Sequence, residues 1–93
     1  MATIRGKVID SETDLTIPFV AVDLYKGDPR TGILVSEKHT DERGEFVFRD
    51  VEPGEYTIVV RSPIHNPVIH KLIIKPDQRV IELEIKTVKI HLR

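Results

Sequence analysis

Apolar and polar residues alternate with a period of two along most of this chain. Ile4, Gly6 and Val8 share one parity while Thr3, Arg5 and Lys7 take the other, the pattern of a strand with one face buried and one in water. Polar residues and Pro18 then interrupt it. In a second run, Phe19–Lys26, Val20, Val22 and Leu24 point inward and Phe19, Ala21, Asp23 and Tyr25 outward. Residues 27–32 have glycine at each end and a proline inside, the marks of a loop. A third strand, Ile33–Thr40, alternates poorly. Asp41-Glu42-Arg43-Gly44 reads as a hairpin turn in which Gly44 takes positive φ. Phe46 and Phe48 follow on one parity. Pro53-Gly54 predicts a type II turn, after which Tyr56, Ile58 and Val60 continue the inward face. Two prolines make Ser62–Pro67 a loop, and the last strands are Val68–Lys75 and Arg79–Leu92.

Nowhere does a 3.6-residue period persist for ten residues without Pro or Gly, so essentially no helix is predicted. Seven short strands separated by turn signals predict an all-β fold. Its architecture is an antiparallel or mixed β-sandwich, in which each strand buries one face against the opposing sheet. The expected core is Val20, Val22, Leu24, Phe46, Phe48, Tyr56, Ile58 and Val60.

Four stretches carry a family resemblance: Gly6–Asp10, Ile17–Leu24, Thr40–Phe48 with its T-D-x-x-G-x-F motif, and Val51–Ile58 with P-G-x-Y. From about Ile4 to Ile85 the chain resembles the carboxypeptidase regulatory-like domains. The resemblance implies a prealbumin-like (transthyretin-like) sandwich, here a single domain spanning residues 1–93. It also implies a mostly non-catalytic role, as accessory domain, tandem surface module or carbohydrate-binding relative. Both motifs encode hairpin turns and inward aromatics, so they specify a fold and not an activity. Family members usually carry a small residue where Phe19 stands. A ring there must be buried or must recognise something.

Composition narrows the function classes. Fourteen Lys+Arg against fifteen Asp+Glu give a formal charge of −1, which argues against a nucleic-acid partner or a polybasic membrane anchor. No apolar run reaches the ~20 residues of a membrane span, and no signal-peptide pattern opens the chain. Membrane insertion is not expected, and the chain as written reads as cytoplasmic. The absence of cysteine removes disulfides and thiolate chemistry. Ile and Val supply 23 residues, a strand former's composition. A single Asn, Gln and Met beside abundant charge follow the trend of thermophilic proteins.

Candidate chemistry is sparse. His39, His65, His70 and His91 are the imidazoles. His65 and His70 face opposite sides of an extended segment, whereas a metal site needs convergent donors. All four are expected at the surface, with no metal. Asp10, Glu12 and Asp14 resemble the start of a calcium loop without its glycine turn or closing acid. No Ser–His–acid set or phosphate loop is visible, and Asp50, Glu52 and Glu55 flank a tight turn with no sign of the burial that a catalytic acid needs. Prealbumin-like iron dioxygenases use two tyrosines and two histidines; here Tyr56 falls inward and no His-x-His pair exists. The expectation is no catalytic residue and no cofactor.

The outward positions say more. Phe19 and Tyr25 share one strand face about 20 Å apart, and Val59, Ile69 and Ile73 also fall outward. Apolar residues on the outer face of a small sandwich mark a partner site. In the last strand Ile81, Leu83 and Ile85 set one parity and Val88, Ile90 and Leu92 the other. That implies a bulge near Lys86-Thr87 or a change of partner sheet. Residues 86–93 are thus a strand extension or an exchange segment, lying over this domain or over another molecule. The function expected is a non-enzymatic interaction module for protein partners, self-association into a homo-oligomer first. Its candidate surface is Phe19, Tyr25, Val88, Ile90 and Leu92. The alternative is a carbohydrate-binding module that stacks sugars on Phe19 and Tyr25.

Overall fold

The structure, a computed structural model, describes residues 1–90. Its seven strands are β1 (Ala2–Asp10), β2 (Ala21–Lys26), β3 (Ile33–His39), β4 (Glu45–Val51), β5 (Gly54–Ser62), β6 (His65–Ile74) and β7 (Val80–Thr87), with no helix among the described residues. They form a three-stranded sheet of order β4-β1-β7 and a four-stranded sheet of order β3-β2-β5-β6. β1 runs antiparallel to β4 but parallel to β7. The second sheet is antiparallel throughout. This is the mixed β-sandwich that the period-two pattern predicts.

All eight expected core residues are buried, joined by Ile4, Val8, Val51, Ile74 and Ile85. The Phe46 and Phe48 rings lie 5.8 Å apart at 57°, a tilted arrangement that aromatic quadrupoles favour. Gly6 lets β1 fit between its neighbours. A Cβ there would stand 2.6 Å from the Leu83 carbonyl oxygen and 2.8 Å from the Phe46 ring.

The two motifs act through their turns. The Asp41 carboxylate accepts the Arg43 and Glu45 amides at 2.8 and 2.9 Å, while Gly44 turns the chain at φ 73°. In the second, the Tyr56 hydroxyl donates to the Glu52 carbonyl at 2.7 Å, anchoring a buried ring to its own turn. Gly54 sits at φ 148°, not at the value near +80° of a type II turn.

Three strand boundaries differ from expectation. β6 begins at His65, leaving Pro63 and Ile64 as the hairpin, so 62–67 is not a loop. Pro67 lies where the β5–β6 register shifts, between the pairs Val60–Val68 and Ser62–His65, a bulge of the kind in which a strand accepts proline. β7 stops at Thr87. The chain then leaves β1 and crosses to the other sheet: Val88 accepts the Asn66 amide and the Ile90 amide donates to Ile64, both at 2.8 Å. The parity change is a change of partner sheet. Val88 and Ile90, half-exposed, lie over this chain's own β5–β6 turn; Leu92 lies outside the described residues. The second strand starts at Ala21, with Phe19 in the bend before it.

β3 alternates poorly for a physical reason. It is the outermost strand of the larger sheet, six of its seven residues are exposed, and four strands overhang three.

Phe48 fills the centre of this core, so Phe48→Ala should lose about 3–5 kcal/mol of unfolding free energy in a urea titration. An unchanged midpoint would place the ring outside the core.

Candidate functional site

At one end of the sandwich Asp10 meets two side chains from the β5–β6 hairpin, Ser62 and His65, the latter 55 residues away in sequence. Asp10 closes β1, Ser62 closes β5 and His65 opens β6. His65 Nε2 lies 2.9 Å from Asp10 Oδ2 and its Nδ1 2.9 Å from Ser62 Oγ. The ionised Asp10 carboxylate accepts the Nε2 hydrogen of His65, and Nδ1 shares a hydrogen with the Ser62 hydroxyl. Asp10 Oδ1 accepts the Glu12 and Thr13 amides at 2.9 and 3.3 Å. The His65 side chain is only 4% exposed, which corrects its expected surface position, and a Ser–His–acid set does exist. No local motif announces the set, because Asp10 stands 55 residues from His65 and the two prolines of 62–67 disguise a two-residue hairpin as a longer loop. The bond from His65 holds the Asp10 carboxyl below its usual range, helped by the Glu12 amide. With both ring nitrogens occupied and the imidazole closed to solvent, the three side chains form a clasp between the sheets.

Beside the clasp, Phe19 is displayed. Its backbone adopts φ 60°, a left-handed conformation that costs a bulky residue about 1–2 kcal/mol. Thr40, the first residue of the T-D-x-x-G-x-F motif, enforces it. The Thr40 hydroxyl donates to Ile17 O at 2.8 Å and accepts the Val20 amide at 3.0 Å. The Thr40 carbonyl accepts the Phe19 amide at 3.0 Å. With the backbone fixed on both sides, the ring stands 68% exposed. It borders a recess of about 440 Å³ shared with His39, Arg61, Ser62 and Pro63.

The outer face of the four-stranded sheet carries the remaining candidates. Asp23 points outward yet is buried, because Arg61 from β5 lies over it with Nε 2.9 Å from Oδ2. Glu37 from β3 approaches the same guanidinium at 3.9 Å, and the Asp23 bond raises the Arg61 pKa further. Tyr25 faces the same side beside Leu34 and Thr57, at the other end of β2 from Phe19. The two rings therefore do not form one platform. Ile69 and Ile73 are exposed on β6. Tyr56 and Tyr25 point to opposite faces, and no three His, Asp or Glu side chains converge among the described residues.

This geometry defines a prealbumin-type β-sandwich whose turns are set by two short motifs. The family model of the carboxypeptidase regulatory-like domain matches residues 3–87, and the chain belongs to that family. No curated protein sequence matches it. Among solved structures, the Bacillus anthracis TIE protein superposes with a TM-score of 0.77 at 19% identity, over 96% of this chain and 17% of that one. The group B streptococcus pilus 2b backbone protein gives 0.72 at 15%, over 95% and 41%. The 5-hydroxyisourate hydrolase of Klebsiella pneumoniae gives 0.75 at 14%, over 98% and 93%. Such identities establish the fold alone. This chain spans less than half the length of the first two. Among the described residues no helix is long and apolar enough to cross a membrane.

Two outcomes test these assignments. Asp10 has a lowered folded pKa, so its contribution is complete above the unfolded value of 3.8 and fades as pH falls through the folded one. Asp10→Asn should therefore melt below wild type at neutral pH, with the gap closing in acid below that value; a pH-independent gap would refute the linkage. Phe19→Gly removes the left-handed penalty and should melt at or above wild type. A loss exceeding about 1 kcal/mol would show that the ring is structural.

Proposed function

We propose that this domain is a non-catalytic interaction module that docks protein, in the first instance a second copy of itself, along the β3 edge. The observation that carries this reading is the exposure of three consecutive apolar residues on that edge: Ile33 72%, Leu34 47% and Val35 48%. One side of β3 is bonded to β2 and the other is open. An open edge offers unpaired amides and carbonyls to another strand. Natural edges are blunted by charge. Here Glu37 and Lys38 guard the C-terminal half of β3, and the Ile33–Val35 half carries no charge. Val35 and the β4 segment 47–51 also line a groove of about 230 Å³ on this side of the sandwich.

The fold likeness to a pilus backbone protein is compatible with a structural role. The closed clasp supports the non-catalytic part: the His65 side chain is shielded from solvent, which leaves its imidazole out of reach of a substrate. The C-terminal strand, which the sequence suggests as the association element, pairs with its own β6 segment. That shifts the self-docking surface to β3.

Sedimentation velocity over a concentration series should show reversible dimerisation of the wild type. Leu34→Lys should remain monomeric with an unchanged melting temperature. A wild type that stays monomeric at high micromolar concentration, or a Leu34→Lys protein that still dimerises, overturns the β3 reading.

A further inference from the structure

We infer that the groove under β3 takes an acidic, extended segment of a partner protein, in which one apolar side chain stands between two carboxylates. The site lies on the inner side of β3, away from the open backbone edge on which self-docking rests. Either reading can therefore fail alone.

The first observation is shape. β3 and β4 are outermost strands of opposite sheets and approach each other, and the groove of about 230 Å³ runs between them. Its floor is the rim of the core, where Leu24, Phe48 and Val51 are buried. Residues 35–38 on one wall and 47–51 on the other each extend for roughly 10 Å. The volume falls below the about 300–1,000 Å³ of small-ligand pockets. A single extended chain segment suits these dimensions, and it places alternate side chains against the floor.

The second observation is charge. Lys38 pairs in register with Val22, whose side chain is fully buried, so its parity is inward. Because β3 overhangs the smaller sheet, Lys38 reaches the groove instead of the core. Arg49 comes from the opposite wall. There the β1–β4 register shifts between Ala2–Val51 and Ile4–Phe48, and Asp50 takes φ 56°. The facing wall has its own shift at Val35, between Leu24–Ser36 and Tyr25–Leu34; such bulges re-aim side chains. Among the described residues neither Lys38 nor Arg49 enters an ion pair. Set against Asp50, they leave the groove one positive charge in excess, on a chain whose formal charge is −1.

The two observations select the occupant together. With an apolar side chain turned to the floor, the carboxylates on either side of it point to the rim. Lys38 and Arg49 are exposed there, and their long stems let the charged heads meet those carboxylates. A nucleic-acid strand would find the cations but no platform for its bases, because Phe48, the ring lining the groove, is buried.

The experiment is a chemical-shift titration of the ¹⁵N-labelled full chain, and of its Leu34→Lys variant, with a capped Ser-Glu-Leu-Glu-Ser peptide. Both proteins should bind it weakly, with shifts centred on Val35, Lys38, Arg49 and Asp50, and less tightly as salt is added. Lys38→Glu and Arg49→Glu should each weaken binding about fivefold, with thermal melts confirming that both variants are folded. Peptides with glutamine for glutamate, or serine for leucine, should lose as much. A wild type that never dimerises leaves these outcomes intact. The inference is overturned if the peptide does not shift the groove signals, or if both charge reversals bind as wild type does. It also falls if the glutamine peptide or inorganic phosphate gives equal shifts, or if oligothymidylate binds the groove more tightly than the peptide.

Discussion

The hydrogen bond from His65 to Asp10 is the directional contact on which the arrangement of this sandwich depends. Apolar packing between sheets is strong but non-directional, and alone it tolerates sliding and rotation. His65 opens β6 in one sheet and Asp10 closes β1 in the other, so their bond fixes the mutual position of the two layers at one end. Ser62 occupies the second ring nitrogen, and the Glu12 and Thr13 amides occupy the second carboxylate oxygen. A buried imidazole is costly unless its polar atoms are satisfied; here they are. The segment 88–90 crosses to β6 at the same place. Two side-chain hydrogen bonds and the bridge from Lys89 thus converge on His65.

Around that rigid end the surface divides into two kinds of exposure. On β3 the exposed residues are what remains when four strands overlie three, and the apolar side chains find no opposing layer. At Phe19 the exposure is enforced, because a threonine locks the preceding bend. The first is a deficit of partners within the fold. The second costs backbone energy to keep a ring in water.

Strand faces were legible wherever a strand is covered on one side. Val20, Val22 and Leu24, or Phe46 and Phe48, reveal their burial by parity alone, and even the blurred pattern of β3 reports an edge. The motifs located Gly44 and Tyr56 correctly, although nothing in T-D-x-x-G-x-F says that its threonine would leave β3 and clamp residues 17–20. Harder to read was anything that depends on which strand ends meet. His65 appears polar and loop-bound until the hairpin shrinks to Pro63-Ile64 and β1 brings Asp10 to it. Asp23 has outward parity and is nonetheless buried, because Arg61 covers it from the neighbouring strand. The parity switch after Ile85 was visible, and its resolution as a change of sheet required the position of β6.

The parallel pairing of β1 with β7 has a mechanical consequence. Eight register pairs, from Thr3 with Val80 to Asp10 with Thr87, run side by side in the same direction. Tension applied at the start of β1 and at the end of β7 therefore pulls the two strands past each other along their length. The ladder is loaded in shear, and its bonds must yield together instead of unzipping one by one. Gly6 lies between Phe46 and Leu83 midway along that ladder, so sliding would also drive side chains against the β1 backbone. A chain held at those two points would resist extension most strongly in the three-stranded sheet, while the four-stranded sheet carried none of the force directly.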